Sequence, residues 1–353
     1  MRNTRWAEWI IARLAGCGVA TSIVGDLLET ATQRGTLWFW LSVARITLSY
    51  TWRLTVAFVA ASYVGLKSRG ARAGWRLFSW LAIFFGVEIV VGLTVGIVRS
   101  QMHATEQPLL APRWIIAGSA GVLAGTMVAT LIAGRAERLS FRDYYIPTRS
   151  FFGRFFWQGL LWGFLAISLL IGLIATLHGY HVAGLAIHGR SLAYAAAWWL
   201  VAAFAIATAE EITFRGYLLR TLADGICFWP AAVLISIGFG ALYFKPHEGW
   251  ELRVATGLLA LFGCLTIRRT GSLAFVIGFH AAFSWGLAFF YSGRDAGAFA
   301  LGHLLRTSWA GPAWLTGGAF GPEASWLMGV VLILLFSLFP RLYRSPSEPS
   351  NIV

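Results

Sequence analysis

Residues 208–219, from Thr208 to Leu219, read TAEEITFRGYLL. Two adjacent glutamates, Glu210 and Glu211, stand in a run whose flanks are apolar enough for a lipid bilayer, and the reading of that run decides the fold. The plain reading is a charged helix end at the cytoplasmic face of a membrane. In a membrane, each carboxylate costs about 3 kcal/mol unless it is paired, neutralised or turned toward a polar interior.

Composition selects the membrane. Of 353 residues, 58% are hydrophobic and 12% charged, and the mean hydropathy is +0.69. A soluble domain of this length needs a far more charged surface. Apolar stretches of roughly 16 to 22 residues follow one another, the length a helix needs to cross about 30 Å of hydrocarbon. No alternation of period two suggests a barrel. The expected fold is therefore all-α, a polytopic transmembrane bundle of eight or nine spans near residues 46–66, 77–98, 114–133, 156–177, 192–213, 229–244, 252–267, 272–292 and 322–340.

The net charge of +13 is a topology signal rather than a nucleic-acid footprint. Cations gather after alternate spans: Lys67, Arg69, Arg72 and Arg76; Arg135, Arg138, Arg142, Arg149 and Arg154; Arg215 and Arg220; Arg268 and Arg269; Arg341 and Arg344. Fewer lie in the intervening connections, namely Arg99, Arg113, Arg190, Lys245, Arg253, Arg294 and Arg306. The positive-inside rule makes the first set cytoplasmic. A bacterial-type plasma membrane with a cytoplasmic C-terminus is the expected location.

Six arginines between Arg2 and Arg53 disagree with nine spans, so eight spans plus an interfacial segment fit better. The stretch from Trp6 to Val24 is expected in the membrane surface, and Leu37 to Arg53 carries the aromatic belt of an interface. The run has no credible cleavage site for a signal peptide. The expected organisation is an N-terminal interfacial segment (1–53), N-terminal transmembrane helices (54–134), an intramembrane domain holding the acidic run (135–340), and a cytoplasmic tail (341–353).

The residues able to do chemistry are few. Cys17, Cys227 and Cys264 are scattered without paired spacing and read as buried small side chains. His178, His181 and His188 share one outward connection, where a solvated loop is the plainer reading than a metal site. Glu88, in the middle of a span, is expected to face the bundle interior. Glu210 and Glu211 point about 100° apart on a helix, and Arg215 lies four residues after Glu211 on the same face. Glu211 can therefore hold the guanidinium, which leaves Glu210 facing a polar cavity as a candidate general base for water.

The spacing of Glu210, Glu211 and Arg215 resembles the EExxxR motif of the CPBP family, the CAAX protease and bacteriocin-processing proteins also called Abi, which are intramembrane endopeptidases. The resemblance runs over roughly residues 135 to 330. It takes in ERLSFRDYYIPTRSFFGRFFWQGLLWG (137–163) and LTGGAFGPEAS (315–325). It implies a glutamate that activates water, with histidines and an Asn or Asp that hold the water or stabilise the oxyanion. It also brings a divalent metal, zinc, as a disputed cofactor, although no HExxH-like ligand spacing is present.

The later motifs depart from the family. GFHAAFSWG supplies His280, but Ser284 stands where the family has Asn or Asp. In SIGFGALYFKPHEGW, Phe239 is in place while Tyr243 occupies the histidine position. An alignment that treats the histidine as deleted before Tyr243 does not restore it. His247 is close, but Pro246 precedes it and should bend or end the helix. The candidate site is thus Glu210, Glu211, Arg215, His280, Ser284 and Tyr243.

Two functions follow. One is a membrane-embedded endopeptidase that cuts a peptide or protein substrate, in some cases a lipidated one, near the bilayer by glutamate-activated water. The other is a pseudoprotease that keeps the Glu–Arg pair as structural glue and binds a membrane peptide or protein. Transport is a third reading, since intramembrane carboxylates also mark ion paths, but no repeat symmetry supports it.

Overall fold

The computed structural model describes residues 4–64, 66, 68–101, 111–146, 150–242, 250–295 and 298–343. Two compact units make up the chain, one formed by Met1–Leu66 with Leu131–Leu139 and the other by Lys67–Thr130 with Ser140–Val353.

In the first unit, helix α1 (Thr4–Ala15) and helix α2 (Cys17–Val64) meet at Gly16, whose φ of +87° suits a residue without Cβ. Ala7 and Ile11 pack with Ala20, Val24 and Ala31, and Phe39 and Val43 join the same core. A second break falls inside α2 at Gly35 (φ 86°, ψ 170°). These breaks revise the sequence reading. Trp6 to Val24 is not one segment but two helices, and Leu37 to Arg53 continues without interruption into the stretch expected as the first span. The reason is plain in the chain, because no Gly or Pro stands between Thr36 and Val64 to stop the helix.

The second unit begins with α3 (Arg69–Gln101) and α4 (Pro112–Glu137), the last turns of α4 alone, from Leu131, belonging to the first unit. α5 (Arg154–Thr176), strand β1 (Tyr180–Leu185) and α6 (Gly189–Glu211) follow. α6 does not end at the acidic run. A π-helical turn over Ile212–Leu218 carries it into α7 (Leu219–Ile226), giving one rod from Gly189 to Ile226. Then come α8 (Phe228–Leu242), α9 (Trp250–Thr270) and α10 (Ala274–Trp285), the last extended by a second π-helical turn at Gly286–Phe290. Short strands β2 (Arg294–Asp295) and β3 (Ala298–Phe299) pair with each other, and β4 (Leu305–Trp309) pairs antiparallel with β1, Tyr180 opposite Trp309. A four-residue helix α11 (Ala313–Thr316) precedes α12 (Leu327–Leu342).

Five of these helices are long and apolar enough to cross a membrane: α3, α4, α5, the α6–α7 rod and α9. α8, α10 with its π turn, and α12 are shorter apolar helices. The chain is an all-α, integral multi-pass membrane protein. Large apolar side chains such as Phe85, Ile89, Leu93 and Ile97 on α3 stand exposed, as a lipid-facing surface requires. Cys17 and Cys227 are exposed as well, and only Cys264 has the buried position expected of all three. In a membrane protein, a small apolar side chain gains little by leaving lipid for the bundle.

The closest packing joins α5 to α10. A Cβ at Gly159 would run into the carbonyl oxygen of Phe275, one at Gly163 into that of Phe279, and one at Gly278 into that of Phe156. Glycines four apart let two backbones meet directly, the way helices associate where water supplies no hydrophobic drive. This contact fixes the height of α10, and with it His280.

Candidate active site

The acidic run sits where α6 passes into its π turn. Such a turn inserts an extra residue and re-aims the side chains that follow. Thr213 holds it from two directions: its hydroxyl lies 2.5 Å from that of Thr126 on α4 and donates to the carbonyl of Ala209 at 2.6 Å. One turn on, Tyr217 stacks on Trp80 of α3 at 5.4 Å between centroids, and Trp80 Nε1 donates to Thr130.

Arg215 is enclosed by this arrangement, its side chain 2% exposed. Nη1 lies 2.7 Å from Glu211 Oε2, at an angle that makes the contact an ion pair rather than an aligned hydrogen bond. Nε donates to the carbonyl of Ala260 at 3.4 Å, and the guanidinium carbon stands 4.8 Å over the ring of Phe239. The pairing expected from the spacing of Glu211 and Arg215 is present.

His280, on α10, joins both glutamates. Its Nδ1 is 2.9 Å from Glu211 Oε1, and its Nε2 is 3.9 Å from Glu210 Oε2. An ionised Glu211 only accepts, so Nδ1 carries the proton in that contact and Nε2 is left with a lone pair. The two glutamates point about 100° apart yet share this partner, because an imidazole presents a nitrogen at each end. In addition, Glu211 and not Glu210 belongs to the cavity wall. Glu210 reaches the site through His280, and its Oε2 is buried without a hydrogen-bond partner among the described residues.

The cavity measures about 380 Å³, within the range of a ligand site. Its polar lining is Glu211, Arg215, Thr256, His280, Ser284 and Glu323, the rest being mostly apolar side chains. Ser284 is therefore on the same wall as His280, one turn further along α10. Tyr243 and His247 lie outside the described residues. The stretch LTGGAFGPEAS also reaches the cavity through Phe320 and Glu323. It folds back on itself: a Cβ at Gly317 would strike the Gly321 carbonyl, and Ser325 Oγ donates to the carbonyl of Leu315 at 2.7 Å. Sequence reasoning quoted this stretch without assigning Glu323, and it missed Thr126, Thr213 and Ala260 altogether. Only Thr213, inside the motif, offered a signal.

Among the described residues no three His, Cys, Asp or Glu side chains are placed to hold one ion, and the Arg215 guanidinium already occupies Glu211. The outward histidines are likewise not a metal group; His181 Nε2 faces the carbonyl of His178 at 2.9 Å.

A multi-pass bundle with a carboxylate, guanidinium and imidazole gathered on the wall of a cavity defines a class of membrane proteins with a buried polar centre. Residues 192–286 match the family model of the type II CAAX prenyl endopeptidases, Rce1-like. That segment is about a quarter of the chain and contains Glu210, Glu211, Arg215, Phe239, His280 and Ser284. At the level of the family it is similar to CAAX-protease-like membrane endopeptidases, in keeping with the resemblance read from the acidic motif. No curated protein and no solved structure matches the chain.

Proposed function

We propose that this protein is a membrane-embedded endopeptidase that hydrolyses a peptide bond with water activated by Glu210. The observation that carries the reading is the gap between Glu210 Oε2 and His280 Nε2. Atoms 3.9 Å apart can both reach one water at about 2.8 Å. Such a water gives one O–H to the carboxylate and the other to the imidazole, leaving an oxygen lone pair for the substrate carbonyl carbon. Glu210 takes the proton as the C–O bond forms, then delivers it to the amine as the C–N bond breaks. Glu211, its charge matched by Arg215, holds the imidazole by Nδ1–H in the required tautomer. Ser284 is the donor available to the oxyanion on the cavity wall, and Tyr243 is a second candidate by its motif position.

The test is hydrolysis of a membrane-presented peptide library by the purified protein beside Glu210→Gln, which keeps the shape and removes the base. Cleavage falling by about 10²-fold or more in the variant supports the assignment. Cleavage that persists refutes it. Inactivity of both proteins, equally well folded, favours the pseudoprotease, in which the cavity binds a membrane peptide or protein without cutting it. The replacement of the second-motif histidine by Tyr243 is the observation behind that second reading.

A further inference from the structure

Helices α8 and α9 give some residues to the wall of the cavity and others to a separate groove. The two helices run antiparallel at backbone distance: a Cβ at Gly240 would come within 2.6 Å of the carbonyl oxygen of Arg253, and one at Gly257 within 3.3 Å of that of Ser236. Helices pack this closely in lipid where the facing residues are small. The same small residues leave nothing to fill the outer face of the seam. A groove of about 420 Å³ remains there, walled by Val233 and Ile237 on α8 and by Val254 and Leu258 on α9, all four exposed. Ser236 adds no polarity, since its hydroxyl turns back to the carbonyl of Ala232 at 2.7 Å. Phe239 and Thr256, each next in the chain to one of the two glycines, line the cavity, which shares no lining residue with the groove.

Arg253 is the one charged side chain lining the groove among the described residues. It lies near the start of α9, one turn after the exposed Trp250, and tryptophan is a residue that marks a membrane–water interface. From Arg253 the groove runs along α9 to Leu261, beside Ala241 to Val233 on α8, which is about 12 Å of helix rise on either side. The hydrocarbon of one leaflet is about 15 Å deep. A cation at the interface and an apolar channel that reaches most of the way to the midplane match one lipid molecule from end to end.

We infer that the α8–α9 groove is a binding site for an anionic glycerophospholipid, one acyl chain lying in the seam and the phosphate held by Arg253. A guanidinium presents five N–H donors in a fork that fits a phosphate, so the contact does not require Arg253 to be without other partners. No carboxylate lines the groove among the described residues, so a phosphate whose charge no headgroup amine balances, as in phosphatidylglycerol, is the better fit. The lipid-facing residues of α3 offer a contrast. Phe85, Ile89, Leu93 and Ile97 are exposed four residues apart on a single helix, a ridge that touches a passing chain from one side only.

The experiment uses the full chain in phosphatidylcholine nanodiscs carrying a trace of phosphatidylglycerol with a diazirine midway along one acyl chain. After photolysis, adducts are mapped by peptide mass spectrometry, with residues 85–97 of α3 as the measure of ordinary lipid contact. Adducts on residues 233–241 and 254–261 are expected to exceed that measure by about tenfold, the factor that a hydrogen bond to a charged group supplies. Arg253→Gln should bring them down to the α3 level. Ala241→Phe, whose ring enters the groove from an exposed position, should do the same with the cation in place. Adducts no denser on the groove than on α3, or an excess that survives either substitution, overturn the inference. Adducts sparser than on α3, with the groove crosslinked to another copy of the chain, assign this face to a self-contact and overturn it as well.

Discussion

Replacing Arg215 by methionine removes the charge and keeps most of the stem. At 2.7 Å from Glu211, the pair is worth about 6 kcal/mol at an effective dielectric constant near 20 before any desolvation is counted. Both side chains are nearly inaccessible, 2% and 3% exposed, so most of that attraction offsets the cost of burying them. Arg215→Met leaves Glu211 as an uncompensated buried charge, and the expected loss is about 3–5 kcal/mol. Glu211→Gln combined with Arg215→Met removes both charges and still leaves an oxygen to accept from His280 Nδ1. The double variant is expected to recover at least about 2 kcal/mol of the loss, since a buried pair exchanged for neutral groups is often close to neutral. Unfolding in mixed micelles with rising SDS, followed through the 18 tryptophans, measures both. A double variant as unstable as Arg215→Met would refute the reasoning, because the cost would then come from lost packing over Phe239 and not from the orphaned carboxylate.

Gly163→Leu is expected to cost at least about 3 kcal/mol in the same assay, since any Cβ there meets the backbone carbonyl of Phe279, which cannot swing aside. Gly172→Ala, on the same helix with open space around it, should be neutral or stabilising by up to about 1 kcal/mol. Equal effects at the two positions would show that α5 and α10 do not meet at Gly163. Glu88 lies against α4, where a Cβ at Gly125 would come within 2.7 Å of its Oε1, and that oxygen is buried without a partner among the described residues. Glu88→Met should therefore raise stability by about 1–3 kcal/mol, and a loss would mean that Glu88 has a polar partner in the bilayer.

The bundle was legible because its signals are local in the chain. Long apolar runs, alternating cation clusters and the absence of strand patterning each follow from what lipid demands of a backbone. The Glu211–Arg215 pair was legible for the same reason, four residues being one helical turn. What sequence missed depends on chain geometry that side-chain identity does not encode. No residue in ITFRGYL announces a π turn; Thr213 closes it only because Thr126, far off in sequence, stands opposite. Gly16 and Gly35 do break the N-terminal helices, but a glycine also sits in helices here without breaking them, as Gly86, Gly92 and Gly96 do in α3, so the breaks could not be chosen in advance. The role of Glu323 depends on a loop whose glycines fold it back, and periodicity has nothing to say about that.

The site also differs from a simple structural ion pair in its charge balance. Glu211 and Arg215 cancel, and a bundle held only by that pair would need neither Glu210 nor His280 beside it. Adding Glu210 introduces a second carboxylate whose Oε2 finds no donor within hydrogen-bond reach among the described residues. His280 can answer that charge only by taking a proton on Nε2, and even then the two atoms stand 3.9 Å apart, beyond a direct hydrogen bond. Folding alone gives no reason to leave such a gap, since a shorter contact or an apolar residue at position 210 would be more stable. A small polar guest between Glu210 and His280 removes the difficulty, and a water that receives pull from a carboxylate and an imidazole at once is the guest from which hydrolysis begins. On the endopeptidase proposal, the departures at Tyr243 and Ser284 touch the groups that would steady an oxyanion, while the groups that would activate water remain together; that proposal then expects hydrolysis slowed at the tetrahedral intermediate rather than a lost nucleophile.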